Sequence, residues 1–193
     1  MSGAQALRLT PDIRHRPEPN HTWLRQIHQA QRDGLGCLPF HLGLDEPAYA
    51  ALIQTHLPEL ARQIGTTDKR AQECGELRAE LLEMRRDEWW ELHDLLLSHR
   101  HGNGPDGTWM AGIVAAGCLG GDHLWRDLGL DSRQQLSELL EHNFPRLVEL
   151  NVQDMRWKKF FYKQLCEREG GYVCRAPSCD ICPTYHDCFG EEQ

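Results

Sequence analysis

The sequence predicts an all-α protein, an irregular helical bundle that ends in a cysteine-rich, cluster-binding loop. Three observations carry this reading. Apolar residues recur at three-to-four spacing in several segments, no segment alternates convincingly with period two, and half of the eight cysteines fall in the last 20 of 193 residues. Tyr172-Val173 is the only strand candidate and is too short to build a sheet.

Residues 1–20 hold three prolines and scattered charges with no helical period, which reads as a flexible arm. A helical domain is expected over residues 21–171. It opens with a helix N-capped by Asn20 or Thr22 that runs to Arg32 and stops at Gly34-Leu-Gly36. A second helix starts near Asp45. The clearest helix spans Lys69 to Ser98, where Leu77, Leu81, Met84, Leu92 and Leu95 form an apolar stripe widened by Trp89 and Leu96 and interrupted by Glu88. His101-Gly-Asn-Gly-Pro-Asp-Gly107 is a loop by composition. Trp109 to Leu119 is apolar and rich in small residues, as suits a buried helix packed closely on its neighbours. Ser132 with Gln135 makes a capping box ahead of Leu136, Leu139 and Leu140. The last long helix, Val152 to Glu169, puts Trp157, Phe160, Phe161 and Leu165 on one face and ends at Gly170-Gly171. Residues 172–193 form the cysteine-rich loop and tail.

Composition narrows the function. A formal charge of -8 and a pI near 5.7 disfavour non-specific binding to nucleic acid. The N-terminal residues lack the apolar stretch of a secretory signal, and the near-apolar run Met110 to Leu119 is too short to span a bilayer, so a cytoplasmic protein without a membrane segment is expected. In a reducing compartment, clustered cysteines are metal ligands more often than disulfides.

Cys174, Cys179, Cys182 and Cys188 form a C-x4-C-x2-C-x5-C array, compact enough for one loop to wrap one metal centre. Pro177 and Pro183 restrict that loop and lower the entropy lost when it closes. The competing reading is structural zinc, with Cys179-x2-Cys182 as a half-site and His186 replacing a thiolate. Zinc sites usually pair two such halves across a longer spacer, and only one half is present, so the spacing favours an iron–sulfur cluster. Arg156, Lys158, Lys159, Lys163, Arg168 and Arg175 crowd the approach to the loop. As a group they suit offsetting cluster charge or attracting an oxyanion such as molybdate; singly, each suits a solvated helix face.

These residues resemble the NifQ family of nitrogen-fixation proteins. The resemblance rests on the cysteine array and on Asp154-Met-Arg-Trp-Lys-Lys-Phe160, Tyr162-Lys-Gln-Leu-Cys-Glu-Arg-Glu169 and Asp122-His-Leu-Trp-Arg-Asp-Leu-Gly-Leu130; Gly34-Leu-Gly36 and Leu42-Gly-Leu44 fit more loosely. It implies a non-enzymatic carrier of an iron–sulfur or molybdenum–iron–sulfur cluster, of 4Fe-4S or Mo-3Fe-4S type, on the four array cysteines. Such a carrier donates molybdenum to assembly of the nitrogenase iron–molybdenum cofactor. The implied partners are the nitrogenase iron protein and the cofactor scaffold complex. Helix-hairpin-helix DNA glycosylases end in a related loop with six residues in the first gap, but neither Gly34-Leu-Gly36 nor Gly117-Cys-Leu-Gly-Gly121 has their hairpin pattern.

Two further residues invite functional readings. Cys166, eight residues before the array, is a spare ligand or, as free cysteines more often are, a small packed hydrophobe. His123 is a candidate ligand to iron or molybdenum, against the commoner role at a helix start with Asp122 as N-cap. Cys37, Cys74 and Cys118 are weaker candidates, Cys118 as part of the core.

Overall fold

A computed structural model describes residues 18–60, 69–168, 170 and 185–190, and among them every regular element is helical. The centre is α5 (Pro105–Cys118), whose residues from Trp109 to Cys118 are all buried. Small residues make this possible. A Cβ on Gly112 would meet Leu44 at 2.6 Å, and one on Gly117 would meet Leu128 at 2.7 Å, so the neighbours pack directly on the α5 backbone. The helix begins at Pro105, which supplies no N–H where none is needed, so the expected loop ends at Gly104 rather than Gly107.

The expected single helix over residues 69–98 is two helices, α3 (Lys69–Met84) and α4 (Arg86–Ser98), broken at Arg85. The break separates the two parts of the apolar stripe. Trp89, Leu92, Leu95 and Leu96 of α4 are buried against α5, and Trp89 donates its indole N–H to Gly112 O at 3.1 Å. Each such leucine contributes about 1.5–3 kcal/mol of burial. Leu77, Leu81 and Met84 of α3 are 57%, 52% and 82% exposed, so on α3 the apolar spacing does not mark a core face.

α1 (Pro19–Arg32) starts earlier than expected, with Pro19 in its first turn, and Asn20 is no cap. Its amide is buried and exchanges two hydrogen bonds, 3.0 and 2.8 Å, with Asn143 at the end of α7 (Arg133–Asn143). α2 (Glu46–His56) starts as expected, with the Asp45 carboxylate accepting from Ala48 N at 2.7 Å. Ser132 caps α7 by accepting from Gln135 N at 3.2 Å. The Gln135 side chain accepts from Asp131 N instead of closing the box on Ser132, and Leu136, Leu139 and Leu140 are buried.

Between α5 and α7 lies the short α6 (Leu124–Asp127), and after α7 comes α8 (Pro145–Leu150). The last long helix is α9 (Trp157–Arg168), five residues shorter at its start than expected, because residues 151–156 form a loop. Asn151 closes that loop with two bonds to Met155, its amide donating to Met155 O and its Oδ1 accepting from Met155 N, both at 2.9 Å. Trp157, Phe160, Phe161 and Leu165 are buried as the spacing predicts, against a core that α4 shares. A short α10 (Tyr185–Phe189) follows near the C-terminus. None of the described helices is long and apolar enough to cross a membrane.

Candidate metal centre

The buried face of α9 fixes its N-terminal end, and the C-terminal segment docks there. Arg156, immediately before α9, donates its backbone N–H to Cys188 O at 2.8 Å and its guanidinium Nε–H to Gly190 O at 3.2 Å. Gly190 is required for this approach, since a Cβ there would lie 2.5 Å from His186 O and 3.2 Å from Arg156 Nη2. Tyr185 and Phe189 stack one helical turn apart, ring centroids 4.6 Å, while Cys188 and Phe189 pack half-buried against the core. The last cysteine of the array is thus anchored to the helical body. Cys174, Cys179 and Cys182, with Arg175, Pro177 and Pro183, lie outside the described residues, as does Tyr172-Val173.

The basic stretch divides by partner. Lys158 is committed to structure: its ammonium donates to Gly120 O at 2.8 Å and pairs with the carboxylate of Asp127, a residue 5% exposed. Lys163 pairs with Glu167 at 3.5 Å, and Arg168 with Asp94 at 2.8 Å. Arg156 is engaged by the docked C-terminus. Lys159 is exposed and outside these pairs.

His123 is brought to this region. It is itself the N-cap residue of α6, one position later than expected, and its N–H donates to the Asp122 carboxylate at 2.7 Å. That bond first, then Arg126 at 3.7 Å, holds Asp122 below the usual carboxylate range. A cavity of about 300 Å³ separates residues 121–124 from the start of α9 and is lined by Asp122, His123, Arg156, Lys158 and Lys159. Nothing in the sequence spacing brings residues 122–123 to 156–159; the Lys158–Asp127 pair does.

The remaining cysteines divide by surroundings. Burial pushes the Cys37 and Cys118 thiols up to about 12, with Asp127 adding to the effect on Cys37, so both are protonated at neutral pH and poor ligands. Cys74 and Cys37 line a larger cavity of about 440 Å³ between α3 and α5, while Cys166 is half-buried on α9. Glu88, a polar interruption in the sequence, accepts the Tyr162 hydroxyl from α9 and both arms of Arg85, so it ties α9 to the α3–α4 break. Reading the sequence also missed a carboxylate–imidazole clasp at the start of α1. His56 meets Asp106 at 3.1 Å and Glu18 at 3.9 Å, and Glu18 also meets His142 at 3.2 Å.

Fold and site together define an all-α protein whose C-terminal cysteine array ends docked against a basic helix start. Comparison with known proteins identifies the group to which such a protein belongs. The family model described as NifQ matches residues 23–190. Protein NifQ of Azotobacter vinelandii is 65% identical over 184 residues, 95% of this chain and 94% of that protein. Protein NifQ of Klebsiella pneumoniae is 38% identical over 89% of this chain and 99% of its own length, and that of Rhodobacter capsulatus 35% identical over 82% and 81%. No solved structure matches the chain. The chain belongs to the NifQ family and has a role in nitrogen fixation.

Proposed function

We propose that the chain is a cytoplasmic carrier of an iron–sulfur or molybdenum–iron–sulfur cluster that donates molybdenum for biosynthesis of the nitrogenase iron–molybdenum cofactor. It works by holding and handing over its cargo and catalyses no turnover. Cys174, Cys179, Cys182 and Cys188 are the cluster ligands, and the nitrogenase iron protein and the cofactor scaffold complex are the receiving partners. The observation that carries this reading is the C-x4-C-x2-C-x5-C array in a NifQ-family chain, with its last cysteine tied to Arg156 at the start of a basic helix.

The donor set fits such a cargo. Four thiolates on a short segment suit a cluster, and Cys188 is half-buried rather than sealed in the core, where desolvation would keep a thiol protonated as it does in Cys37 and Cys118. Cations at the base of the loop offset the negative charge of thiolate-bound clusters. Anchoring one ligand at α10 fixes that end of the array on the helical body.

The test is anaerobic purification followed by iron, sulfide, zinc and molybdenum analysis with electron paramagnetic resonance. Iron with stoichiometric sulfide, and molybdenum after loading, is the expected result. Zinc without sulfide would replace this reading with a structural zinc site.

A further inference from the structure

We propose that Glu18, His56 and Asp106 form a second metal site, for a divalent first-row transition ion, where the ends of three helices meet. The inference rests on neither the cysteine array nor the carrier reading. Glu18 is the N-cap residue of α1, His56 is the last residue of α2, and Asp106 lies in the first turn of α5. One ligand atom from each lies within 4.8 Å of the other two. Donors held about 2.0–2.2 Å from one tetrahedral ion stand about 3.3–3.6 Å apart, so small side-chain rotations close this group on an ion. The imidazole is the fixed donor: its side chain is 7% exposed, and its ring meets Trp109 edge-on with centroids 6.0 Å apart. The carboxylates of Glu18 and Asp106 are 46% and 31% exposed, which gives them room to adjust and gives an ion a way in.

The surroundings of His56 call for a positive charge. Its Nε2 lies 3.1 Å from Asp106 Oδ1 and its Nδ1 3.9 Å from Glu18 Oε2. A neutral imidazole has one N–H and one lone pair, so it donates to one of these carboxylates and turns its lone pair toward the other. Among the described residues, the ion-pair partners of Glu18 and Asp106 are His56 and His142, with no lysine or arginine, so no fixed cation balances the two carboxylates. A divalent ion accepts the imidazole lone pair and offsets both negative charges at once. The nitrogen donor selects against calcium and magnesium, which take oxygen ligands. His142 is a positioning residue: its Nε2 lies 3.2 Å from Glu18 Oε1, the oxygen opposite the one that approaches His56, and its ring packs on Trp23 with centroids 5.6 Å apart.

The experiment is titration of the anaerobically isolated full-length protein with manganese(II) chloride, the free ion being counted by its electron paramagnetic resonance signal. Manganese is the probe because thiolates select softer ions, so the cysteine array does not compete for it. Wild-type protein should bind one equivalent, and the bound ion should raise the temperature of thermal unfolding. Glu18→Gln and Asp106→Asn keep side-chain size and remove one ligand charge each; with circular dichroism unchanged, each should weaken manganese by more than about a hundredfold and abolish the thermal shift. His142→Gln should weaken it by about tenfold with one equivalent still bound, the effect of loosening a ligand rather than losing one. Zinc should displace the manganese, being the stronger binder at a nitrogen and oxygen site, whereas the same excess of magnesium should leave it in place. No bound equivalent in wild type, or equal binding by wild type, Glu18→Gln and Asp106→Asn, would overturn the site and leave the group an ion-pair clasp only. Displacement by magnesium would overturn His56 as a ligand. None of these outcomes bears on the cluster reading, which iron and sulfide analysis decides.

Discussion

Arg156 N–H donates to Cys188 O across 2.8 Å, joining the loop before α9 to the last cysteine of the array. One backbone bond and one guanidinium bond at the same residue make the cluster segment part of the folded body at one end. The tight fit at Gly190 makes the joint testable. Gly190→Val places a branched side chain where His186 O and Arg156 Nη2 already stand, and should detach α10. Iron retained after desalting should fall several-fold with far-ultraviolet circular dichroism unchanged. Full iron retention would show that docking of α10 does not support the cluster.

The four array cysteines should behave as one unit. Replacing Cys174, Cys179, Cys182 or Cys188 by Ala is expected to remove most of the cluster absorbance in each case, because a cluster missing one thiolate is open to solvent and hydrolysis. Cys37→Ala should leave it intact, since burial keeps that thiol protonated and its Sγ faces Gly117 O at 3.7 Å. Retention of the full spectrum in two of the four variants would contradict the ligand assignment.

Lys158 and Asp127 form the buried pair that holds the start of α9 against α6, their side chains 18% and 7% exposed. Asp127 also accepts from Asp122 N at 3.0 Å. Lys158→Met leaves a buried carboxylate without its cation and should cost about 3 kcal/mol or more in urea unfolding. The double variant Lys158→Met/Asp127→Leu should recover part of that loss. Equal stability of Lys158→Met and wild type would show that the pair is solvated in solution.

How much of this was legible in the sequence depends on whether the cause is local. The buried faces of α4, α5 and α9 follow from apolar spacing, and Asp45 and Ser132 act as caps because capping involves residues three apart. The break at Arg85 was not legible. Its guanidinium prefers Glu88 and Leu119 O, the latter 34 residues away, to a place on a continuous helix. The array cysteines are visible as spacing, whereas the meeting of His123 with Arg156 and Lys159 depends on a salt bridge across 31 residues.

Asn20 illustrates the same limit and yields a prediction. By type it reads as an N-cap; in the fold its amide pairs with Asn143, 123 residues away, inside the core. Asn143→Leu should destabilise by about 1–3 kcal/mol, because it strands the buried Asn20 amide. Asn20→Leu/Asn143→Leu removes both halves and should be closer to wild type than either single change. A double variant as unstable as the sum of the singles would mean that the two amides are uncoupled.

Stability should fall in two stages as the medium is acidified. Burial first, and Arg32 second, pushes His28 below the ordinary imidazole range, and burial does the same to His93 against the pull of Asp94. His28 also meets the Tyr49 hydroxyl at 2.9 Å. Both histidines are therefore favoured as neutral rings in the folded state, while the unfolded chain takes up protons near pH 6.5. Their contribution is whole above about pH 6.5 and is lost as pH falls through the lower folded values. Glu88 supplies the second stage. The Arg85 guanidinium first, and the Tyr162 hydroxyl with it, hold its carboxyl below the usual range, so its contribution is whole above about pH 4.3 and is lost as pH falls through the folded value. The side chain is 29% exposed, and solvent screening makes this stage the smaller. Thermal unfolding of wild type, His28→Gln, His93→Gln and Glu88→Gln between about pH 8 and about pH 3 separates the stages. Each histidine variant should flatten the decline that begins below about pH 6.5, and Glu88→Gln the decline below about pH 4.3. A wild-type acid limb unchanged by all three substitutions would place the titrating groups elsewhere.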